Sequence, residues 1–192
     1  MYELIILSLL MRLNRPGYQI AKITNSKIGP WAKVSNGTLY PMMSKMAQAG
    51  LIERVADPDQ TQDDRNHTIY TITPAGRQRF HELMMDTSSN LGDYQKIFRL
   101  KIPSLNYLAP RERLYLLNHY LNYCQASILF LQTEAETMAQ KFRGKEDTSP
   151  YSPELAIDLM QHQARQWQAE YDWTMKLRAE VAAQLEAGTP AQ

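Results

Sequence analysis

Apolar residues dominate the start of the chain, at helical rather than alternating spacing. Positions 2–13 are apolar almost throughout, which is too crowded for an alternating strand and predicts a buried first helix. The segment 14–17, NRPG, is typical of a turn. Ile20, Ile23 and Ile28 then recur as on one helix face, and the following Gly-Pro pair predicts where this second helix ends.

Residues 35–46, SNGTLYPMMSKM, predict a third helix that contains both a glycine and a proline. Gly costs about 1 kcal/mol and Pro about 3 kcal/mol in a helix interior. Ser35 can cap this helix, and Gly50 is typical of its end. The positions expected to face inward are Leu39, Met42, Met43 and Met46. Such a composition indicates either a poorly formed surface helix or a helix end shaped for a partner.

A β-hairpin and a fourth helix are predicted next. A short apolar and charged run precedes a polar loop, 56–66, and residues 67–73 then alternate, with Tyr70 and Ile72 on one face. Thr73-Pro74 supplies an N-cap and a first-turn proline for the following helix. Three helices, a hairpin and a helix are the element order of a winged helix-turn-helix.

The second half of the sequence predicts two long helices. Residues 86–92, DTSSNLG, have the composition of a linker, and a short helical piece follows them. From Pro110 to Gly144, apolar residues alternate in steps of three and four, which predicts a helix of about 34 residues. Ser152-Pro153 begins another helix, and the short connection between the two makes them antiparallel.

The predicted fold is therefore mainly α with a small β-hairpin wing. We expect a winged helix-turn-helix domain at 1–88 and long antiparallel helices that form a dimerisation domain at 89–192. A single heptad seam on so long a helix favours a homodimer. Packing of the two helices within one chain is the alternative, and both can hold. The seam residues expected to dimerise are Leu114, Leu117, Leu121, Ile128, Leu131 and Met138. Further apolar surface is expected from Leu116, Tyr120, Tyr123 and Phe130.

Charge is distributed unevenly along the chain. The first 56 residues contain seven basic and two acidic residues, whereas the remaining 136 contain 14 basic and 18 acidic ones. A basic N-terminal part suggests contact with a polyanion, although chance is a sufficient alternative. No stretch approaches the ~20 apolar residues of a membrane span, and Cys124 is the single cysteine. We expect a cytoplasmic protein without a membrane partner.

Nothing in the sequence favours an enzyme, a metal site or a cofactor. The histidines stand at positions 67, 81, 119 and 162, without the spacing of metal ligands. Cys124 lies five residues after His119 on one predicted helix, about 140° around its axis, so the two do not form a nucleophile and base. The sequence has neither a glycine-rich phosphate loop nor a GxSxG motif.

The third helix is the segment best suited to DNA. Short polar groups at a helix N-terminus, followed by a lysine, suit a helix inserted end-first into a major groove. The N-terminal amides and the Ser35 or Thr38 hydroxyl can donate to phosphate, while Asn36 and Tyr40 can reach base edges. Gly37 allows close approach of a strand. The contacts expected here are Lys33, Ser35, Asn36, Gly37, Thr38, Tyr40, Pro41 and Lys45.

Two runs in this region resemble a known family. SNGTLYPMMSKMAQAGLIER and RNHTIYTITPAGR resemble the recognition helix and wing of the PadR family of transcriptional regulators. The matching residues are Gly37, Thr38, Leu39, Tyr40, Pro41, Leu51, Ile52, Arg65, Tyr70, Thr73, Gly76 and Arg77. The resemblance covers residues 1 to about 80. The remainder is similar, through weaker motifs, to the helical C-terminal domain of phenolic-acid-responsive and virulence regulators.

The resemblance implies a repressor that binds an inverted-repeat operator as a homodimer and is often released by a small molecule. The front half of the wing tip is acidic, so we expect the wing contacts at Arg65, Asn66 and His67. Aromatic groups with nearby cations can hold a small aromatic or phenolic effector, although such a stripe also serves as core. The candidate residues are His119, Tyr123, His162, Trp167 and Tyr171. The competing function is a helical protein-interaction scaffold whose winged helix does not bind DNA.

Overall fold

The structure is a computed structural model, and it describes residues 1–28, 34–55, 68–89, 91–144 and 152–187. The chain forms two compact units, Met1–Tyr107 and Leu108–Gln192. Within the described ranges, no helix combines the length and the apolar character needed to cross a bilayer.

The first unit contains the four helices predicted from the sequence. They are α1 (Tyr2–Arg12), α2 (Gly17–Ile28), α3 (Asn36–Gln48) and α4 (Pro74–Met85). Helix α1 is the centre of this unit, since six of its apolar side chains are buried. Arg79 of α4 donates from Nε and Nη2 to the two carboxylate oxygens of Glu3, at 3.0 and 3.2 Å. This bidentate pair raises the pKa of Arg79 above its usual range and joins α4 to α1.

A three-stranded antiparallel sheet, in the order β1-β3-β2, completes the winged helix. Its strands are β1 (Arg15–Pro16), β2 (Ile52–Val55) and β3 (Ile69–Ile72). The hairpin strands were expected, and Tyr70 and Ile72, which were predicted to share one face, are both buried. The expected turn over 14–17 instead contains β1, because Arg15 pairs with Tyr70 and Gly17 donates its N–H to the Thr68 carbonyl at 3.2 Å.

The connection from β3 to α4 has the predicted cap. Thr73 is the N-cap residue of α4, and its hydroxyl oxygen accepts the Gly76 N–H at 3.0 Å. Pro74 occupies the first helical position, where the missing N–H costs nothing. The mainly α fold with a small wing is therefore confirmed.

Residues beyond α4 also pack with the first unit. Two 3-10 segments, Leu91–Asp93 and Ile102–Tyr107, flank α5 (Tyr94–Lys101). Tyr94 and Phe98 are buried, and Lys101 Nζ donates to the Asp86 carbonyl. The division between the units thus falls after Tyr107. That the DNA-binding domain comprises residues 1–88 alone, with 89–192 as the second domain, stays a prediction.

The second unit consists of two long helices, α6 (Pro110–Phe142) and α7 (Pro153–Ala187). They are antiparallel, as expected: the Tyr120 hydroxyl donates to Glu170 at 2.8 Å, whereas the earlier Asn118 accepts from the later Arg178 at 2.6 Å. The alternative of packing within one chain therefore holds. Whether α6 also meets a second copy stays a prediction.

Some of the apolar residues of α6 that were predicted to form a dimer interface are already buried within the single chain. Leu117 and Leu121 of the predicted seam are buried in the single chain, while Leu114, Ile128, Leu131 and Met138 keep part of their surface. Leu116 and Tyr120, which were expected to add apolar surface for packing, are fully buried within the single chain. Tyr123 is half-buried, and Phe130 is 64% exposed.

Candidate nucleic-acid interface

Helix α3 has one buried and one exposed face. Leu39, Met43 and Met46 are buried, as predicted, and Met42 is half-buried. Six of the expected DNA contacts share the opposite face or the N-terminal end and are exposed: Ser35, Asn36, Gly37, Thr38, Tyr40 and Pro41. Lys45 is exposed further along the helix. The core side chains therefore fix which residues of α3 reach solvent.

The N-terminus of α3 is not capped by a side chain. Ser35 holds the N-cap position, but its hydroxyl bonds to the Thr38 hydroxyl at 3.0 Å rather than to a backbone amide. The prediction that the Ser35 side chain caps α3 is therefore wrong, although Ser35 does occupy the N-cap position. The Ser35 carbonyl accepts the N–H groups of Thr38 and Leu39 at 3.0 and 3.1 Å. The amides of Asn36 and Gly37 precede the first intrahelical bond, so they remain available as donors at an exposed helix end.

Pro41 lies inside α3 without ending it, since the helix runs from Asn36 to Gln48. Its ring nitrogen carries no hydrogen, so the Gly37 carbonyl four residues earlier lacks its usual helical donor. Both residues are exposed. Water or a partner can therefore satisfy that carbonyl, and the helix tolerates the proline on this face.

Tyr40 packs against the start of α2. A Cβ added to Gly17 would lie 3.2 Å from the Tyr40 ring and 3.2 Å from the Tyr70 ring. Tyr40 is nevertheless 38% exposed, and Tyr18, the residue after Gly17, is 46% exposed. The ends of α2 and α3 thus present two tyrosines to solvent. The DNA contacts predicted from the sequence did not include Tyr18. The glycine that precedes it, Gly17, was the one sign in the sequence that another residue packs closely at this position.

Asn25 fixes the entry of the chain into α3. Its side-chain oxygen accepts the Val34 N–H at 2.7 Å, and its amide nitrogen donates to the Val34 carbonyl at 3.2 Å. Val34 immediately precedes the N-cap residue and is buried. Asn25 is a positioning residue that sequence reasoning missed. The one clue was an asparagine, a poor helix former, within α2.

Four of the expected contacts cannot be placed. Lys33 and the wing residues Arg65, Asn66 and His67 lie outside the described residues. The described cations near α3 include Lys45 and, on β2, Arg54, and both are exposed.

Of the five residues expected to hold an effector, only some lie close to one another in the structure. The Tyr123 and Trp167 rings meet edge-on at 5.5 Å, and the Tyr171 hydroxyl accepts from Gln125 at 3.1 Å. His119 contacts Tyr115 and is half-buried, whereas His162 is exposed and pairs with Gln166. A cavity of about 310 Å³ between α6 and α7 is lined by Ile128, Gln132, Gln161, Ala164, Arg165 and Gln168. None of the five expected residues lines this cavity.

The described residues offer little reactive chemistry. Burial raises the pKa of the Cys124 thiol to about 12, so the thiolate needed for nucleophilic attack is absent at neutral pH. Within the described ranges, no three His, Cys, Asp or Glu side chains are grouped as metal ligands.

Comparison with known proteins finds one family match, and it lies within the N-terminal unit. Residues 6–82 match the family described as the transcriptional regulator PadR-like family. No curated protein matches the chain.

Three solved structures illustrate similarity over most of the chain. PadR of Bacillus subtilis in complex with operator DNA is 21% identical, with 93% of this chain and 96% of that chain covered and a TM-score of 0.41. The PadR-like regulator BC1756 from Bacillus cereus is 18% identical (96% and 99% covered, TM-score 0.36). The virulence activator AphA of Vibrio cholerae is 18% identical (96% and 99% covered, TM-score 0.38). The family match itself covers residues 6–82 alone.

Proposed function

Because residues 6–82 match the transcriptional regulator PadR-like family, we propose that this protein regulates transcription by binding double-stranded DNA through α3. The family is a class of regulators and not of enzymes. The observation that carries the proposal is the exposed polar end of α3 opposite a fully buried apolar face. A helix anchored on one face and polar at its N-terminus suits insertion into a major groove.

The contacts fall into two groups. The amides of Asn36 and Gly37, the hydroxyls of Ser35 and Thr38, and the Lys45 ammonium donate to phosphates. Tyr40, with the Asn36 side chain, reaches base edges and so supplies sequence preference. Pro41 completes the exposed face of the helix. Lys33 and the wing residues Arg65, Asn66 and His67 add phosphate contacts beside it.

The protein acts, in this proposal, as a homodimeric repressor on an inverted-repeat operator. The partly exposed seam residues Ile128 and Leu131 contribute to the interface, together with apolar side chains that the single chain leaves uncovered. On α6 and α7 these include Leu129, Phe130, Leu155 and Leu159, which are 66, 64, 72 and 55% exposed. The contact between the Tyr123 and Trp167 rings fixes the register of the two antiparallel helices. In this register, Leu159 lies within about one helical turn of Phe130 along the helix axis.

The dimer is tested by light scattering on the full chain. The chain has a mass of 22.2 kDa, and the proposal predicts twice that mass at micromolar concentration. Leu159→Glu should shift the equilibrium towards the monomer, because it places a charge in the apolar contact. Glu154→Gln on the same helix is the control. A monomeric unaltered protein would contradict the proposed dimer. It would not decide the proposed DNA binding by α3, which is measured separately.

We also propose a small aromatic effector in the second unit, held by His119, Tyr123, His162, Trp167 and Tyr171. The half-buried Tyr123 and Trp167 rings support this, since they offer apolar faces beside polar groups. Thermal shift of the full chain with p-hydroxy aromatic acids tests it. A shift that Trp167→Leu removes, but Trp173→Leu retains, supports this site.

The DNA proposal is tested by titrating the full chain with a duplex from the region upstream of its own gene and with a shuffled duplex. Preference for the former supports a sequence-specific regulator. Absence of binding to either at low salt supports the scaffold, in which α3 serves only as a structural element.

A further inference from the structure

A second cationic site lies in the first unit, away from the exposed face of α3. Helices α1 and α2, strand β1 and the 3-10 segment Ile102–Tyr107 line a cavity of about 360 Å³ that is open to solvent on one side. This volume falls in the range of small-molecule sites in proteins. Its polar lining includes Arg12, Arg15 and Lys27, and no acidic side chain of the described residues lines it.

Arg15 is the central feature of this cavity. Its Nε is buried and has no hydrogen-bond partner among the described residues. Strand pairing with Tyr70 of β3 holds the Arg15 backbone in place. The Arg15 side chain is half-buried overall. A donor nitrogen that is shielded from water and unpaired is unfavourable for folding, and such an atom in a folded protein calls for a specific explanation. An acceptor bound in the cavity supplies one.

The other two cations strengthen the case. Arg12 and Lys27 are exposed, and neither has an ion pair within the part of the chain that the structure describes. Three positive charges on one cavity, without an acidic residue among its described lining residues, create a field that attracts an anion. Arginine forks match the geometry of carboxylate and phosphate oxygens.

The rest of the lining is suited to an organic body. Ile23 contributes an aliphatic side chain, and Tyr107 contributes a ring that packs edge-on against Phe80, with centroids 5.8 Å apart. Ser104, which is buried, adds a hydroxyl. The cavity therefore combines a cationic side with an apolar side.

We infer that this cavity binds a small organic anion, whose carboxylate or phosphate group pairs with Arg15, Arg12 and Lys27 and whose apolar part lies against Ile23 and Tyr107. The site is separate from the aromatic residues of α6 and α7 and does not depend on the proposed DNA binding. Its occupant contacts β1, which pairs with strand β3 of the wing.

Calorimetric titration of the full chain, without DNA and at low salt, tests the inference. The probes are phenyl phosphate, benzoate, inorganic phosphate and neutral benzyl alcohol. We expect phenyl phosphate or benzoate to bind more tightly than inorganic phosphate or benzyl alcohol, and the tighter of the two identifies the anionic group. Arg15→Gln should weaken that binding roughly tenfold or more, as expected for the loss of a charge-assisted hydrogen bond.

Matched variants separate the site from general electrostatics. Arg12→Gln and Lys27→Gln remove exposed cations of the cavity and should each weaken binding several-fold. Lys96→Gln removes an exposed cation of α5 that does not line the cavity and should leave binding unchanged. If Arg15→Gln fails to fold by circular dichroism, the Arg12 and Lys27 variants decide.

Three results would overturn the inference. The first is that neither phenyl phosphate nor benzoate binds at millimolar concentration. The second is that inorganic phosphate or benzyl alcohol binds as tightly as the organic anion. The third is that Lys96→Gln loses as much affinity as Arg12→Gln and Lys27→Gln.

Discussion

Gly76, in the first turn of α4, lies directly against the backbone carbonyl of Leu51. A Cβ at this position would overlap that carbonyl oxygen and also press on the Ile72 side chain. The Thr73 hydroxyl lies 2.6 Å from the Gly50 carbonyl and 3.0 Å from that of Leu51. The start of α4 is therefore joined to the turn between α3 and β2.

Gly76→Ala should destabilise the protein by roughly 3 kcal/mol, because the backbone of Leu51 cannot move aside as a flexible side chain would. The gain in helix propensity, at most about 1 kcal/mol, does not offset this overlap. Urea unfolding followed by circular dichroism measures the change. A loss below 0.5 kcal/mol, on the order of an ordinary surface substitution, would show that the contact is not rigid.

Gly37→Ala should have the opposite effect on stability. The nearest atom to an added Cβ is the Ser35 hydroxyl oxygen at 3.6 Å, an ordinary contact, so alanine should stabilise α3 by about 0.5–1 kcal/mol. The same methyl group should weaken DNA binding roughly tenfold, if it displaces a phosphate from a backbone amide. Parallel unfolding and DNA titrations check both effects. A more stable protein with unchanged DNA affinity would show that no strand approaches Gly37.

Asn25→Ala should lower both stability and DNA affinity. It removes two hydrogen bonds to Val34 and leaves one buried N–H without its acceptor, at a cost of about 1–3 kcal/mol. DNA affinity falls because the residue before the N-cap of α3 is no longer held. Asn36→Ala is the matched control: its side chain is exposed, so it should reduce DNA binding while changing stability by less than about 0.5 kcal/mol. Unchanged DNA affinity of folded Asn25→Ala would exclude a positioning role.

The stability of the first unit should rise between pH 8 and pH 10. Burial lowers the pKa of Lys101 from 10.5 to about 8, partly opposed by Asp86. In this interval the unfolded chain binds the proton more strongly than the folded one, so raising the pH favours folding; below pH 8 both states are protonated and the penalty is complete. Urea unfolding at pH 8 and pH 10 compares the protein with Lys101→Met, which should lack the increase. The same pH dependence in both proteins would assign it to other groups.

The helices were predictable because their information is local. Thr73-Pro74 and Ser152-Pro153 each combine an N-cap residue with a proline in the first turn, which predicts the start of a helix. Both starts are confirmed. Strand β1 was missed because Arg15 and Pro16 have no alternating pattern and become a strand only through pairing with β3. Such a pairing joins residues more than 50 positions apart, which no local pattern records.

The packing of α7 shows a different limit of sequence reasoning. Leu155 and Leu159 look like core residues, yet they are exposed, whereas Ala164 and Thr174 are buried. Small side chains allow two helices to approach closely, and a ranking by hydrophobicity overlooks them. The same holds for the site: the pattern predicted the exposed end of α3, but the hydrogen bonds from Asn25 reach Val34, nine positions later in the chain, and no local pattern records them.

The most direct test of the account is the salt dependence of DNA binding by the full chain and by Lys45→Ala, with Lys96→Ala as the control. Log affinity should fall steeply with log salt for the unaltered protein, and Lys45→Ala should flatten that slope by about one unit, the effect of one lost phosphate contact. The Lys96→Ala slope should match that of the unaltered protein. Equal slopes for all three proteins, or no binding to the upstream duplex at low salt, would contradict the claim that α3 binds DNA.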